Sequence, residues 1–182
     1  MEPQLVGIAG RKESGKSEVA KFLKEHHGFY RDKMAGGLKA MMALFLRWAA
    51  VEDPWYYIEG PGKEEPLQVL GGKTTRYAMQ TLGTEWGRNC LWRDLWVNQN
   101  RQRLKTDLDY GIPVVIDDVR FGNERRMLQD LGATIIHVYR PGVVSEDGHA
   151  SEDPLTPLPG EPTVLNGGSL EELQNAAMRA LT

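Results

Sequence analysis

Near the start of the chain, Leu5-Val6-Gly7-Ile8-Ala9 forms an unbroken apolar run. A run this short, closed by a glycine, reads as a strand buried on both faces. From Lys16 to His26 the pattern changes to helical spacing, with Val19, Ala20, Phe22 and Leu23 supplying an apolar face. Ala35 to Ala50, rich in Leu, Met and Ala, predicts a second helix. Residues 51–73 are punctuated by Pro54, Gly60, Pro61, Gly62, Pro66, Gly71 and Gly72, and read as a connection with short helical turns. Thr75 to Thr84 predicts a short helix, and Leu91 to Leu108 a longer one with Trp92 and Trp96 as packing residues. Pro113-Val114-Val115-Ile116 is the second clear strand, ending in Asp117-Asp118. A helix over Asn123 to Leu131 and a strand over Ala133 to Tyr139 follow. Residues 141–162 hold five of the ten prolines and no apolar periodicity, which predicts a mobile loop or lid. Thr163-Val164-Leu165 is a fourth strand. Ser169, with Glu172 three residues on, forms a capping box that opens the last helix.

Strands alternating with helices predict an α/β fold, with a mostly parallel sheet and helices on both faces. The length, 182 residues, suits a single domain spanning 1–182, because neither side of 51–73 has a complete core of its own. The chain is 41% hydrophobic and 26% charged, as expected of a soluble globular protein. Its apolar runs fall far short of the roughly 20 residues of a membrane helix, and Met1 to Leu5 carries no secretory pattern. Cys90 is the one cysteine, so no internal disulfide is expected, in keeping with a reducing cytoplasm. One cysteine and four scattered histidines give no zinc-ligand spacing.

A net charge of −3 is too mild to point to nucleic acid or a membrane surface as partner. Its distribution is uneven. Residues 1–140 carry 21 basic and 18 acidic residues, and residues 141–182 carry one basic and seven acidic. The positive part is also the part that holds the strongest motif.

That motif is Gly10-Arg11-Lys12-Glu13-Ser14-Gly15-Lys16-Ser17, a match to G-x-x-x-x-G-K-[ST] between a predicted strand and a predicted helix. Gly10 and Gly15 let the backbone curl so that successive N–H groups point inward at phosphate oxygens. Ser14, Gly15, Lys16 and Ser17 then open the helix, whose N-terminus favours anions. Lys16 reaches the β- and γ-phosphates of a nucleoside triphosphate, and the Ser17 hydroxyl ligates Mg²⁺. A second Mg²⁺ anchor is expected from an acid at a strand end, which Asp117 and Asp118 supply. Strand alternation sends one of them to the site and the other away. The guanine-reading string Asn-Lys-x-Asp does not occur, so a small-molecule kinase fits better than a GTPase.

Two further strings narrow the acceptor. Arg76-Tyr77-Ala78-Met79-Gln80-Thr81-Leu82-Gly83-Thr84-Glu85-Trp86-Gly87-Arg88 and Asp118-Val119-Arg120-Phe121-Gly122-Asn123-Glu124, with the phosphate loop, resemble the deoxynucleoside monophosphate kinases of tailed bacteriophages. His149-Ala150-Ser151-Glu152 is also similar to that family. The resemblance implies a three-layer P-loop NTPase kinase fold like that of adenylate kinase. It implies transfer of the γ-phosphate of ATP to a deoxynucleoside 5′-monophosphate (dNMP) with Mg²⁺, in the host cytoplasm if the chain is phage-encoded. Residues 51–73 then belong to the acceptor side and 141–162 to the lid.

Arginines clamp phosphate dianions bidentately and stay charged, which suits Arg76 and Arg120 above all, and then Arg88, to the acceptor phosphate. Lys39 is a further acceptor-side cation. Gln80, Thr84, Asn123 and Glu124 can read a base or sugar edge, and Trp86 can stack on the base. Lid arginines are missing from 141–162, which leaves Arg140 at the hinge, Arg125 and Arg126 on the preceding helix, or the core charges alone, to neutralise the transferring group. From the resemblance, Asn166 and Gly167 contact the adenine ring. The alternatives are another small-molecule P-loop kinase, such as a dephospho-CoA kinase with a similar Asn-x-Gly-Ser turn, or a non-enzymatic ATP-binding regulatory protein. Homodimerisation through the tryptophan-bearing helix is left open.

Overall fold

The computed structural model describes residues 3–142 and 155–181. The His149 string lies outside them. The chain divides into two compact units, one formed by Met1–Met34 with Arg101–Thr182 and the other by Ala35–Asn100.

In the first unit, β1 (Leu5–Ala9) leads into α1 (Lys16–His26), and β2 (Tyr30–Asp32) follows. After the second unit the chain returns along α5 (Leu95–Asp109) to β5 (Val114–Val119), α6 (Gly122–Asp130), β6 (Thr134–Tyr139), β7 (Thr163–Leu165) and α7 (Leu170–Arg179). The five strands form one sheet in the order β2-β5-β1-β6-β7, and every neighbouring pair is parallel.

The period of two along each strand sorts the core onto two faces. Val6, Ile8, Val115, Ile136, Val138 and Val164 pack with Val19 and Leu23 of α1 and with Leu173 and Ala177 of α7. On the opposite face, a Cβ at Gly7 would meet Ile135 Cδ1 at 2.6 Å and Leu128 Cδ1 of α6 at 3.0 Å. Glycine at position 7 therefore lets α6 sit close to β1. Burying a side chain such as Leu23 or Leu128 contributes ~2 kcal/mol each. The predicted capping box at α7 is present: Glu172 N–H donates to Ser169 Oγ and Ser169 N–H to Glu172 Oε2. These bonds hold the Glu172 carboxyl below its ordinary value.

The second unit comprises α2 (Gly36–Trp48), α3 (Pro54–Ile58), a 3-10 turn over Pro61–Glu64, the short antiparallel pair β3 (Pro66–Leu67) and β4 (Lys73–Thr74), α4 (Thr75–Thr81) and the start of α5. Met42, Ala43, Leu46, Ile58 and Met79 are its core. Asp53 caps α3 by accepting from Tyr56 N–H, and Thr74 caps α4 by accepting from Tyr77 N–H. Both short helices thus have a bonded start.

Several elements differ from the sequence expectation. β2 has three residues and no apolar pattern, so periodicity does not announce it. β5 runs on through Asp117 and Asp118 to Val119, so the two acids lie within the strand. Leu82–Leu91 is wound as a π-helix, and α5 starts at Leu95, not Leu91. Trp92 precedes α5 and is exposed. Trp96 packs against the π-helix, where its Nε1–H donates to the Gly83 carbonyl at 2.8 Å. A Cβ at Gly87 would lie 2.6 Å from Trp96 Nε1. The wide π-turn and two glycines make the seat for that indole.

Candidate functional site

The loop from Gly10 to Ser17 joins β1 to α1, as its motif requires. Gly10 has φ 145° and Gly15 φ 105°, and each faces a close neighbour. A Cβ at Gly10 would collide with the Val138 carbonyl, and one at Gly15 would sit 2.5 Å from Asn166 Nδ2. Side chains are excluded at both positions by backbone angle and by space. Lys16 Nζ lies across the loop and donates to the carbonyl of Gly10 at 2.7 Å and to that of Arg11. Its ammonium is thus held at the cradle.

Asn166, expected at the adenine ring, has a different contact here. Its Nδ2 donates to the Ser14 carbonyl at 2.8 Å, and its backbone N–H donates to the Tyr139 carbonyl. The residue after β7 therefore braces the back of the loop.

Ser17 and Asp117 meet at the open end of the loop, with Ser17 Oγ 3.3 Å from Asp117 Oδ2. Asp117 is 4% exposed. Arg31, at the centre of β2, donates to the same Oδ2 through Nε at 3.0 Å and through Nη2. Oδ1 of Asp117 is buried with no hydrogen-bond partner among the described residues. Asp118 is engaged elsewhere: its Oδ1 accepts from Met34 N–H at 2.7 Å, and the register of β5 against β1 shifts at these two acids, where strict alternation is interrupted. A buried, partnerless carboxylate oxygen beside a hydroxyl is the hard-oxygen donor set that Mg²⁺ takes. The residues present fit the ion, and they favour Asp117 over Asp118. Arg31 was not legible as a site residue, because β2 itself carries no pattern.

Arg120 links β5 to α6. Its N–H and that of Phe121 donate to the carboxylate of Glu124, at 2.9 and 3.1 Å. Glu124 N–H in turn donates to Asn123 Oδ1. Glu124 is buried and engaged at the start of its own helix, where a carboxylate satisfies otherwise unbonded N–H groups. That geometry is a helix cap. Arg125, a candidate for the missing lid arginine, donates instead to the Thr156 carbonyl at 2.8 Å. Arg140 follows β6 and is exposed, and Gly167 lies past β7.

The remaining candidates lie in the second unit. Lys39 of α2 pairs with Glu59 at 2.5 Å, and Arg76 of α4 pairs with Glu64. Thr75, fully buried, ties α4 to α3 by donating to the Tyr57 carbonyl. Lys63 belongs to the same cluster. Its pKa is lowered from the ordinary 10.5, first by burial and then by the charges of Arg76 and Lys39, against the opposing pull of Glu64 and Glu59. Sequence reading passed over Lys63 because it sits in a Pro/Gly-rich stretch with no motif. Gln80 on α4, and Thr84 and Trp86 on the π-helix, are exposed, and the Trp86 ring lies 6.4 Å from that of Trp96. Arg88 is half-buried on the π-helix.

The family model of deoxynucleotide monophosphate kinases matches residues 70–177. The chain is 34% identical over 180 residues to a protein of Acanthamoeba polyphaga mimivirus assigned as a deoxynucleotide monophosphate kinase, covering 92% of this chain and 91% of that one. The chain belongs to the deoxynucleotide monophosphate kinase family. Within this family it is also 36% identical over 104 residues to the enzyme of Enterobacteria phage T4, covering 55% of this chain and 42% of that protein. The match to the enzyme of Escherichia phage RB69 is similar, 36% over 110 residues, covering 58% of this chain and 44% of that one. The chain thus spans under half the length of the phage relatives.

Among solved structures, a sugar kinase from Janibacter sp. HTCC2649 superposes with TM-score 0.53 at 14% identity, covering 97% of this chain and 93% of that one. A protein of Thermus thermophilus superposes with TM-score 0.50 at 20% identity over the full length of both. These likenesses are of fold, and the α/β kinase fold expected from the sequence is the one observed. No described helix is long and apolar enough to cross a membrane.

Proposed function

We propose that this chain transfers the γ-phosphate of ATP to a deoxynucleoside 5′-monophosphate. The observation that carries the reading is the loop at β1–α1, with Lys16 in the cradle and Ser17 against the buried Asp117, in a chain of this family. Names of relatives support the acceptor class, and the acceptor strings agree with them.

Phosphoryl transfer needs little covalent chemistry from the protein; positioning and charge neutralisation carry the rate. The N–H groups of residues 14–17 hold the donor's phosphates, and Lys16 stabilises charge on the β- and γ-phosphates. Ser17 and Asp117 would hold Mg²⁺, which neutralises phosphate charge when bound. Asn166 keeps the loop in shape from behind. On the acceptor side, Arg76, Lys39 and Lys63 supply cations for the 5′-phosphate, and Arg120 and Arg140 supply guanidiniums for the transferring group. Gln80, Thr84, Asn123 and Trp86 are assigned to the acceptor's base and sugar, with Arg88 as a further cation. We place the activity in the cytoplasm, where nucleotide pools are found.

The test is ADP release from ATP and Mg²⁺ in the presence of each of the four common dNMPs, their ribose counterparts and dephospho-CoA. Turnover with at least one dNMP, and a labelled dNDP product, is the expected result. ATP bound but no product with any dNMP would refute the reading.

A further inference from the structure

A single buried carboxylate fastens the end of the proline-rich segment to the sheet. The Glu161 side chain is 6% exposed. Its Oε2 meets His137 Nε2 of β6 at 2.8 Å, accepts from Leu158 N–H at 2.9 Å and lies 3.5 Å from Arg125 Nη1 of α6. Its Oε1 accepts from Gln129 Nε2 of α6 at 2.8 Å. Around this group, Arg125 donates to the Thr156 carbonyl, and His137 N–H donates to the Pro162 carbonyl at 2.9 Å. Two elements of the first unit and the segment 156–162 therefore converge on one side chain. Several long side chains are ordered to do so and lose rotamer freedom in the process. A loop that merely connected two strands would need no such arrangement.

What the network holds in place is a wall. Leu155, Thr156 and Pro157 line a cavity of about 390 Å³ together with Arg11, Ser14 and Arg140. That volume is of the size that small ligands occupy. Ser14 Oγ, 1% exposed and without a hydrogen-bond partner among the described residues, belongs to this lining. Two guanidiniums beside an unpartnered hydroxyl suit a phosphate-bearing ligand.

We propose that Glu161 is a positioning residue for the donor nucleotide: it holds residues 155–157 as a fixed wall of the cavity beside the phosphate loop, and that wall sets nucleotide affinity. The identity of the ligand rests on the kinase reading above. Glu161 does not touch the transferring group, so its loss acts on binding and not on the chemical step.

The test uses the full chain and two readouts. Calorimetric titration with ADP and Mg²⁺ measures affinity without turnover, and steady-state kinetics separates KM from kcat. Glu161→Gln is expected to weaken ADP binding about tenfold and to raise KM for ATP by a like factor. KM for dNMP and kcat at saturating ATP should stay within twofold. Leu155→Gly alters the wall outside the network and should give the same split; if thermal unfolding shows that Glu161→Gln does not fold, this variant decides alone. ADP affinity unchanged in the folded variants would overturn the proposal, as would a loss confined to kcat. Weakened ADP binding in a chain that phosphorylates no dNMP would sink the kinase reading and leave the role of Glu161 standing.

Discussion

Arg31 and Asp117 form an ion pair across the neighbouring parallel strands β2 and β5, and the guanidinium engages only one of the two carboxylate oxygens. Oδ2 receives Arg31 and Ser17, while Oδ1 is buried and without a partner among the described residues. A carboxylate taken out of water needs a counter-charge, and breaking a fully buried pair costs ~3–5 kcal/mol. Arg31 is partly exposed, which reduces the figure. Arg31→Ala should therefore destabilise by roughly 2 kcal/mol in chemical denaturation. In an Asp117→Asn background the same change should cost much less, because the charge that needs pairing is gone. Additive losses would show that the pair is not coupled.

The two adjacent acids should separate cleanly. Asp117→Asn is expected to remove the Mg²⁺ dependence of ADP binding. Asp118→Asn should keep it, since Asp118 is engaged with Met34 N–H. Lys16→Ala should abolish turnover, by at least about a thousandfold, with circular dichroism unchanged. Equal effects of the two Asp variants on metal-dependent binding would reverse the assignment.

Glu124 offers a test of cap against reader. Glu124→Ala should lower stability by ~1–2 kcal/mol, the typical loss of a helix cap, while the order of preference among dNMPs stays unchanged. A change in base preference without loss of stability would support the base-reading role expected from the sequence.

Lys63 sets a pH dependence. Burial and the neighbouring Arg76 and Lys39 charges lower its pKa. The unfolded chain thus holds a proton at pH values where the folded chain has lost it. Stability from this group rises with pH across the window between its lowered value and the ordinary 10.5. Acceptor binding has the opposite sense: a phosphate dianion favours the charged lysine, so KM for dNMP should climb with pH below 10.5, earlier than for an ordinary lysine. Lys63→Arg should flatten that rise, because a guanidinium keeps its charge. A profile identical in both proteins would remove Lys63 from the acceptor site.

The brace behind the phosphate loop is testable through one amide. Asn166→Ala removes the bond to the Ser14 carbonyl while leaving the backbone in place. ATP affinity should fall about tenfold, which corresponds to ~1.4 kcal/mol. Asn166→Asp should be worse, since it sets a carboxylate against a carbonyl oxygen. If adenine recognition were instead its role, discrimination between ATP and GTP would fall in Asn166→Ala.

Much of the first unit was legible because its strands bury whole apolar runs. Leu5–Ala9 and Thr163–Leu165 carry their expected boundaries, and the motif at Gly10–Ser17 could be placed between elements before any geometry was known. β2 was not legible, since Tyr30-Arg31-Asp32 is polar and its pairing with β5 is a long-range event. Arg31 was missed with it. The π-helix over Leu82–Leu91 escaped for another reason. Its winding follows the indole of Trp96 settling on Gly83 and Gly87, a contact that no local periodicity encodes. At Asn166 and Glu124 a sequence shows the side chain's chemistry but not the backbone groups it meets, here the Ser14 carbonyl and the N–H groups of Arg120 and Phe121.

Residues 35–100 enter and leave as one uninterrupted stretch, between Met34 and Arg101. On the reading proposed here, that stretch holds Lys39, Lys63, Arg76, Gln80, Thr84, Trp86 and Arg88, while the triphosphate loop and its brace are encoded outside it. Most changes that retune which nucleotide accepts the phosphate can accumulate in one block of the gene, with no alteration to the codons that handle ATP. Asn123 is the exception, encoded outside that block beside the end of β5, so a designer exchanging the segment would carry acceptor choice over most completely by matching that one further position.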